Sequence, residues 1–218
     1  MNLDTEFIRQ GLIFYLLIVV SISIHEWAHA ITADRLGDLT PDSQGRVTLN
    51  PLAHLDPIGT GLIPLVNIFV LGAGSIRLIG WGKPVQINLS NFAPKRRKLC
   101  DVLITLAGPF SNVVLALLGT VAAAVCHRMH LPAEDPLWLF ININVGLVVF
   151  NLIPIPPLDG SRIFRYIVGM SEETFIRIAM SSGIFILVLV NLPPFQRVMG
   201  FLYSWAIRPY EWLYGVLT

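Results

Sequence analysis

Five stretches of this chain are almost free of charge: residues 10–24, 58–76, 102–126, 137–161 and 178–196. Each approaches or reaches the ~20 apolar residues that cross a ~30 Å hydrocarbon layer. The first predicts a helix over 5–36, apolar to Ile24 and then carrying His25-Glu26-Trp27-Ala28-His29. Gly37, just after Arg35, is placed to end it. A stretch rich in Gly, Pro, Asp and Asn follows, and brief alternation over 46–49 predicts a short strand within it. Residues 58–80 are apolar but interrupted by Pro64, Gly72, Gly74 and Gly80, and the polar segment 81–98 ends in Lys95-Arg96-Arg97-Lys98. Helices are predicted over 99–126 and 137–153, after which Pro154, Pro156 and Pro157 break regular structure. A short segment at 159–169 precedes a membrane helix at 173–192. The last segment follows Pro193-Pro194, and its Trp205, Tyr210, Trp212 and Tyr214 suit a membrane interface.

Composition sharpens this pattern. The chain is 54% hydrophobic and 13% charged, against about 25% charged in soluble domains. A water-soluble enzyme and a disordered regulator are therefore excluded. A formal net charge of +1 offers no field for a polyanion, so no nucleic-acid partner is expected. The fold class is an all-α polytopic membrane protein of about five to six membrane segments. The polar connections 36–57, 81–98 and 127–136 are too short for a separate soluble domain. One transmembrane domain is expected over 1–218, with a core at 5–169 and additional C-terminal membrane segments at 173–218. The first helix follows Asp4 and Glu6 rather than a basic region, so it is expected to be retained. Cys100 and Cys126, on one helix, would lie about 39 Å apart and could not pair.

Ionisable residues inside a membrane span are costly and mark function. His25 and His29 are i and i+4 on one helical face, with Glu26 beside it. This H-E-x-x-H spacing suits two neutral imidazoles on Zn²⁺ with the glutamate as general base. With five histidines in this chain, about 0.003 such matches are expected by chance. A catalytic zinc needs a third protein ligand and an open position. Asp159 is the best candidate, because it follows a proline-unwound segment, and such backbone at membrane depth must face protein or a water-filled cavity. The competing reading of Asp159 is the N-cap of the short helix after it, and both could hold in part.

The segments His25-Glu26-Trp27-Ala28-His29 and Asn151…Pro154…Leu158-Asp159-Gly160 resemble the site-2 proteases, a family of intramembrane zinc metalloproteases. Gly45-Arg46-Val47-Thr48-Leu49-Asn50-Pro51, His54, Asp56-Pro57 and Gly59-Thr60 resemble the compact bacterial branch. So do Gly82-Lys83-Pro84-Val85 and Ala107-Gly108-Pro109-Phe110-Ser111-Asn112. The loop 127–136 leaves no room for the PDZ domain found in other branches. The resemblance implies one zinc per chain on His25, His29 and Asp159, with Glu26 as catalytic base. It implies for Asn151 a hold on substrate or oxyanion, against a purely structural hydrogen bond. His54 matches a histidine of that branch, as a gating or transient metal contact or as a polar loop residue. Gly108 and Asn112 are assigned to helix packing. The implied partners are transmembrane protein substrates and the lipid bilayer.

The basic cluster at 95–98 places that loop in the cytoplasm. Asp159 then lies at the cytoplasmic end of its helix, and helix 1 must run inward for His25 to reach the same depth. By parity, 58–80 is expected to be a re-entrant hairpin bending near 64–74. The short β element at 45–50 would lie on the cytoplasmic side and offer an edge to an unwound substrate. The expected location is a bacterial cytoplasmic membrane, multi-pass, with the active site toward the cytoplasm. Two other functions compete. A membrane zinc-binding protein or transporter would need ligands relayed across the membrane, and only one cluster is visible. An inactive homologue acting as a scaffold would not need Glu26.

Overall fold

A computed structural model describes residues 5–66 and 81–218. Its elements in chain order are α1 (Thr5–Leu36), α2 (Thr40–Ser43), α3 (Ile63–Val66), α4 (Arg97–Arg128), α5 (Glu134–Asn151), α6 (Asp159–Ile167), α7 (Glu172–Ser181), α8 (Gly183–Leu189) and α9 (Pro193–Leu217). Among the described residues there is no strand. The predicted helices at 5–36, 99–126 and 137–153 correspond to α1, α4 and α5.

The bundle is organised around α4, which packs against α1, α5, α6 and α9. From residue 116 onward its buried positions are all small, Ala116, Gly119, Thr120, Ala123 and Ala124, and Gly108 adds another one turn before Asn112. Lipid tails are as apolar as leucine, so helices in a bilayer associate through close packing and polar contacts, which small residues permit. A Cβ on Gly119 would lie 3.1 Å from Ile141 Cγ1, which shows how near α5 runs. Ala116, Ala123, Ile141, Val145, Ile207 and Tyr210 form the core shared by α4, α5 and α9.

The outer faces carry the complementary signal. Ile8, Leu12, Leu16 and Val20 form an exposed i, i+4 stripe on α1, and α4 exposes Phe110, Val114, Leu117, Leu118, Val121 and Val125. Only 28% of the most apolar window of α1 and 39% of that of α4 are buried against protein. An apolar surface this continuous is stable in lipid, not in water. These two helices are long and apolar enough to cross a membrane.

Three expectations change. Residues 45–50 form no strand, because Arg46 turns inward and is buried and the Thr48 carbonyl accepts from His54 Nε2 at 2.8 Å. The backbone there serves side chains instead of a ladder. The span 173–192 is two helices, α7 and α8. The Ser181 hydroxyl bonds the Arg177 and Ile178 carbonyls and that of Ser182 bonds the Ala179 carbonyl, and with Gly183 next in sequence these side-chain bonds favour a break. Tyr210 is core rather than interface, 7% exposed, whereas Trp205 and Trp212 do face outward. The turn expected near 64–74 falls mostly at 67–80, outside the described residues.

Candidate metal centre

The i, i+4 spacing on α1 brings the His25 and His29 rings to 4.7 Å between centroids, at 85° to each other. Both are buried against α4. His29 Nδ1 lies 2.7 Å from the Ile104 carbonyl oxygen. A carbonyl only accepts, so Nδ1 carries the proton. His25 Nδ1 lies 2.7 Å from Asn112 Oδ1. Asn112 shows its oxygen there because its Nδ2 donates to Asn144 Oδ1 at 2.8 Å. Asn144 in turn donates to Ser21 Oγ and to the Phe140 carbonyl. Asn112, Asn144 and Ser21 are fully buried. A satisfied polar chain therefore fixes the His25 tautomer from behind, as a metal ligand requires.

With Nδ1 protonated in each ring, the neutral imidazole, the form that binds a metal, presents its lone pair at Nε2. The two Nε2 atoms are 3.1 Å apart. Asp159 Oδ2 completes the triangle at 3.2 Å from His25 Nε2 and 3.4 Å from His29 Nε2. That oxygen is buried and receives no hydrogen bond. Three unprotonated acceptors at this separation repel one another unless a cation lies among them. Ligands at ~2.0–2.1 Å from a tetrahedral zinc are about 3.3 Å apart. The triangle therefore fits such a metal, and its three residues all line one cleft.

Two glycines make the approach feasible. A Cβ on Gly108 of α4 would lie 2.3 Å from His29 Nε2 and 2.7 Å from His25 Cε1. On Gly160, a Cβ would lie 2.2 Å from the Leu152 carbonyl oxygen. Gly160 thus lets α6 start directly against the proline-broken segment, which aims Asp159 at the histidines. Asp159 is the first helical residue, and the N-cap position is Leu158. A second clamp holds α6: Asp101 of α4 accepts from Arg165 Nη2 at 2.8 Å and from the Tyr166 hydroxyl at 2.7 Å, with Arg162 Nη1 at 3.3 Å.

The triangle opens onto a cleft of about 580 Å³ whose lining includes Glu26, Trp81, Pro84, Asn151, Arg162 and Ile186. Glu26 is one residue from His25 and outside the triangle. The chain crosses it closely, since a Cβ on Gly82 would lie 3.2 Å from Glu26 Oε1. Asn151 ends α5, lines the cleft, and donates through Nδ2 to the Leu147 carbonyl at 3.0 Å. His54 is fully buried and belongs to the loop wall, not to the triangle.

The sequence pattern groups His25, His29, Asp159 and Glu26. It assigns Asn112 and Gly108 to packing and gives no role to Asp101 or Arg46. A buried asparagine within an apolar helix was the available signal for Asn112, but not for its partner.

An open three-ligand site with a carboxylate beside it, set in lipid-facing helices, is that of a membrane-embedded metallohydrolase. The sequence profile of Peptidase family M50 matches residues 121–190, which include Asn151 and Asp159. "Putative zinc metalloprotease YwhC" of Bacillus subtilis is 37% identical over 190 residues, 83% of this chain and 81% of that protein. "Putative zinc metalloprotease Rip2" of Mycolicibacterium smegmatis is 29% identical over 180 residues, 81% of this chain and 65% of that protein. Its Mycobacterium tuberculosis namesake is 32% identical over 146 residues, 65% of this chain and 52% of that protein. No solved structure matches the chain. The chain belongs to peptidase family M50, the site-2 proteases, and is an intramembrane metallopeptidase.

Proposed function

We propose that this chain hydrolyses peptide bonds within or near transmembrane segments, using one zinc held by His25 Nε2, His29 Nε2 and Asp159 Oδ2. The observation that carries this reading is the triangle of His25 Nε2, His29 Nε2 and Asp159 Oδ2 at 3.1–3.4 Å from one another. The names of the YwhC and Rip2 relatives support zinc as the metal.

When bound, zinc supplies Lewis acidity and lowers the pKa of water to ~7. Glu26 takes the proton of the attacking water and returns it to the leaving nitrogen. Asn112 and the Ile104 carbonyl hold both imidazoles in the tautomer that keeps Nε2 free. Asn151 has a second amide N–H, which can hold a substrate carbonyl at the cleft. A helix is 10–12 Å across with its carbonyls bonded internally, so the substrate must enter as extended backbone. Pro84, Val85 and Ile87 line the cleft within the exposed or half-exposed run 83–88, and this run replaces 45–50 as the edge offered to such a strand.

The topology that suits this reading is multi-pass, with α5 and α9 also crossing the bilayer of a bacterial cell. Lys95, Arg96, Arg97 and Lys98 are all exposed, which supports a cytoplasmic loop beside the active site. The substrates are membrane-anchored proteins.

The test uses the purified chain in detergent and a fluorophore- and quencher-labelled synthetic transmembrane peptide with Gly and Asn at its centre. Wild type should carry one zinc and cleave. Glu26→Gln should keep the zinc and lose cleavage by at least about 100-fold. Full cleavage by Glu26→Gln would remove Glu26 as base, and zinc binding that survives loss of both histidines would remove the site.

A further inference from the structure

Arg46 lies in the Gly-Arg-Val-Thr stretch, which the metal centre does not use. It is 2% exposed. Gly45 turns the chain with φ +66°, and the Arg46 amide is fixed by the Pro41 carbonyl at 2.9 Å. The side chain is thereby sent into the protein. Its Nη2 donates to the Lys83 carbonyl and lies 4.0 Å from Glu26 Oε2. Its Nε has no hydrogen-bond partner among the described residues. A buried cation with one neutral acceptor is expensive unless a charge faces it, and the carboxylate facing it is Glu26.

Among the described residues the one ion pair of Arg46 is that with Glu26. His54, in the same loop wall, uses Nε2 to donate to the Thr48 carbonyl at 2.8 Å. Burial holds its pKa down and the imidazole neutral. The same wall ties to the next segment, because the Lys83 amide donates to the His54 carbonyl at 2.8 Å. Arg46 therefore links two things: the carboxylate beside the metal triangle, and the segment at 82–85 that crosses over it.

We infer that Arg46 is a positioning residue, holding the Glu26 carboxylate in fixed relation to the Lys83 segment along which substrate backbone is presented. This rests on the reading of Glu26 as general base. The guanidinium is in contact with Glu26 and the Lys83 carbonyl and is not part of the His25, His29 and Asp159 triangle. It limits the excursions of a carboxylate that would otherwise swing within a cleft, and displacement of a reacting group by 1 Å can cost about 100-fold in rate.

The experiment is a double-mutant cycle between Arg46→Met and Glu26→Asp on the labelled transmembrane peptide, reading kcat, KM and bound zinc. Arg46→Met should lower kcat about 10–100-fold, change KM by less than about 3-fold, and leave zinc at wild-type level. In the Glu26→Asp background, where the carboxylate is already withdrawn, the same change should lower kcat by less than about 3-fold, since coupled residues are non-additive. Arg46→Lys, which keeps the charge, should fall between wild type and Arg46→Met. Wild-type kcat in Arg46→Met, equal losses in both backgrounds, or a loss that follows zinc content would overturn the inference. If Arg46→Met does not fold, Arg46→Lys decides: reduced kcat with unchanged zinc supports it, and wild-type kcat rejects it. Failure of the parent reading shows separately, as cleavage by Glu26→Gln.

Discussion

His25 Nδ1 stands 2.7 Å from Asn112 Oδ1, across the α1–α4 interface and 87 residues away in sequence. This contact decides which nitrogen of His25 is free. Replacing Asn112 with Ala should weaken zinc binding about 10–100-fold, as loss of an outer-shell partner does. Competition against a chelator of known affinity measures it. Asn112→Asp should do less harm, because it keeps the acceptor.

Gly108→Ala separates helix stability from site geometry. In an exposed helix the change would stabilise by about 1 kcal/mol. Here the added methyl would lie 2.3 Å from His29 Nε2. The expected outcome is loss of stoichiometric zinc from a chain whose helical circular dichroism is unchanged.

Asp101 and Arg165 are 1% and 5% exposed. Removing one partner of a buried pair costs about 3–5 kcal/mol. Asp101→Asn should lower the unfolding midpoint in detergent and also weaken zinc binding, since α6 carries Asp159. The double variant Asp101→Leu/Arg165→Met should recover part of the stability. Thermal unfolding of all three chains gives the comparison.

Parity predicts that both ends of 58–80 lie on one side of the membrane. In a cysteine-free background, Leu39→Cys and Gln86→Cys, both at exposed positions, should react with an impermeant maleimide from the same side. Labelling from opposite sides would mean that 58–80 crosses.

Cleavage should depend on the helix stability of the substrate. Each Gly→Ala change near the cut site stabilises helix by roughly 0.8–1 kcal/mol. Two such changes in the labelled peptide should slow cleavage by more than about tenfold if unwinding precedes attack. Unchanged rates would mean that the peptide reaches the cleft already extended.

Arg165, just beyond the proline-broken segment, is committed to Asp101, whereas the basic residues at 95–98 are exposed, a difference that sequence alone does not show. The same division runs through the protein. Charge-free length and i, i+4 spacing are local properties, and they sufficed for α1, α4 and α5 and for the closeness of His25 and His29. Pro154, Pro156 and Pro157 marked where the backbone opens, which singled out Asp159. Hydropathy could not reveal the break between α7 and α8, because Ser181 and Ser182 act there through hydroxyl bonds to backbone carbonyls. Nor could it place Tyr210 in the core, assign Asn112 to His25, or turn Arg46 toward Glu26. Those contacts join residues from separate segments, and a linear pattern records which face is apolar without recording what meets it. Only the packing of α1, α5 and α6 onto α4 sets the distances at which three acceptors become a metal site.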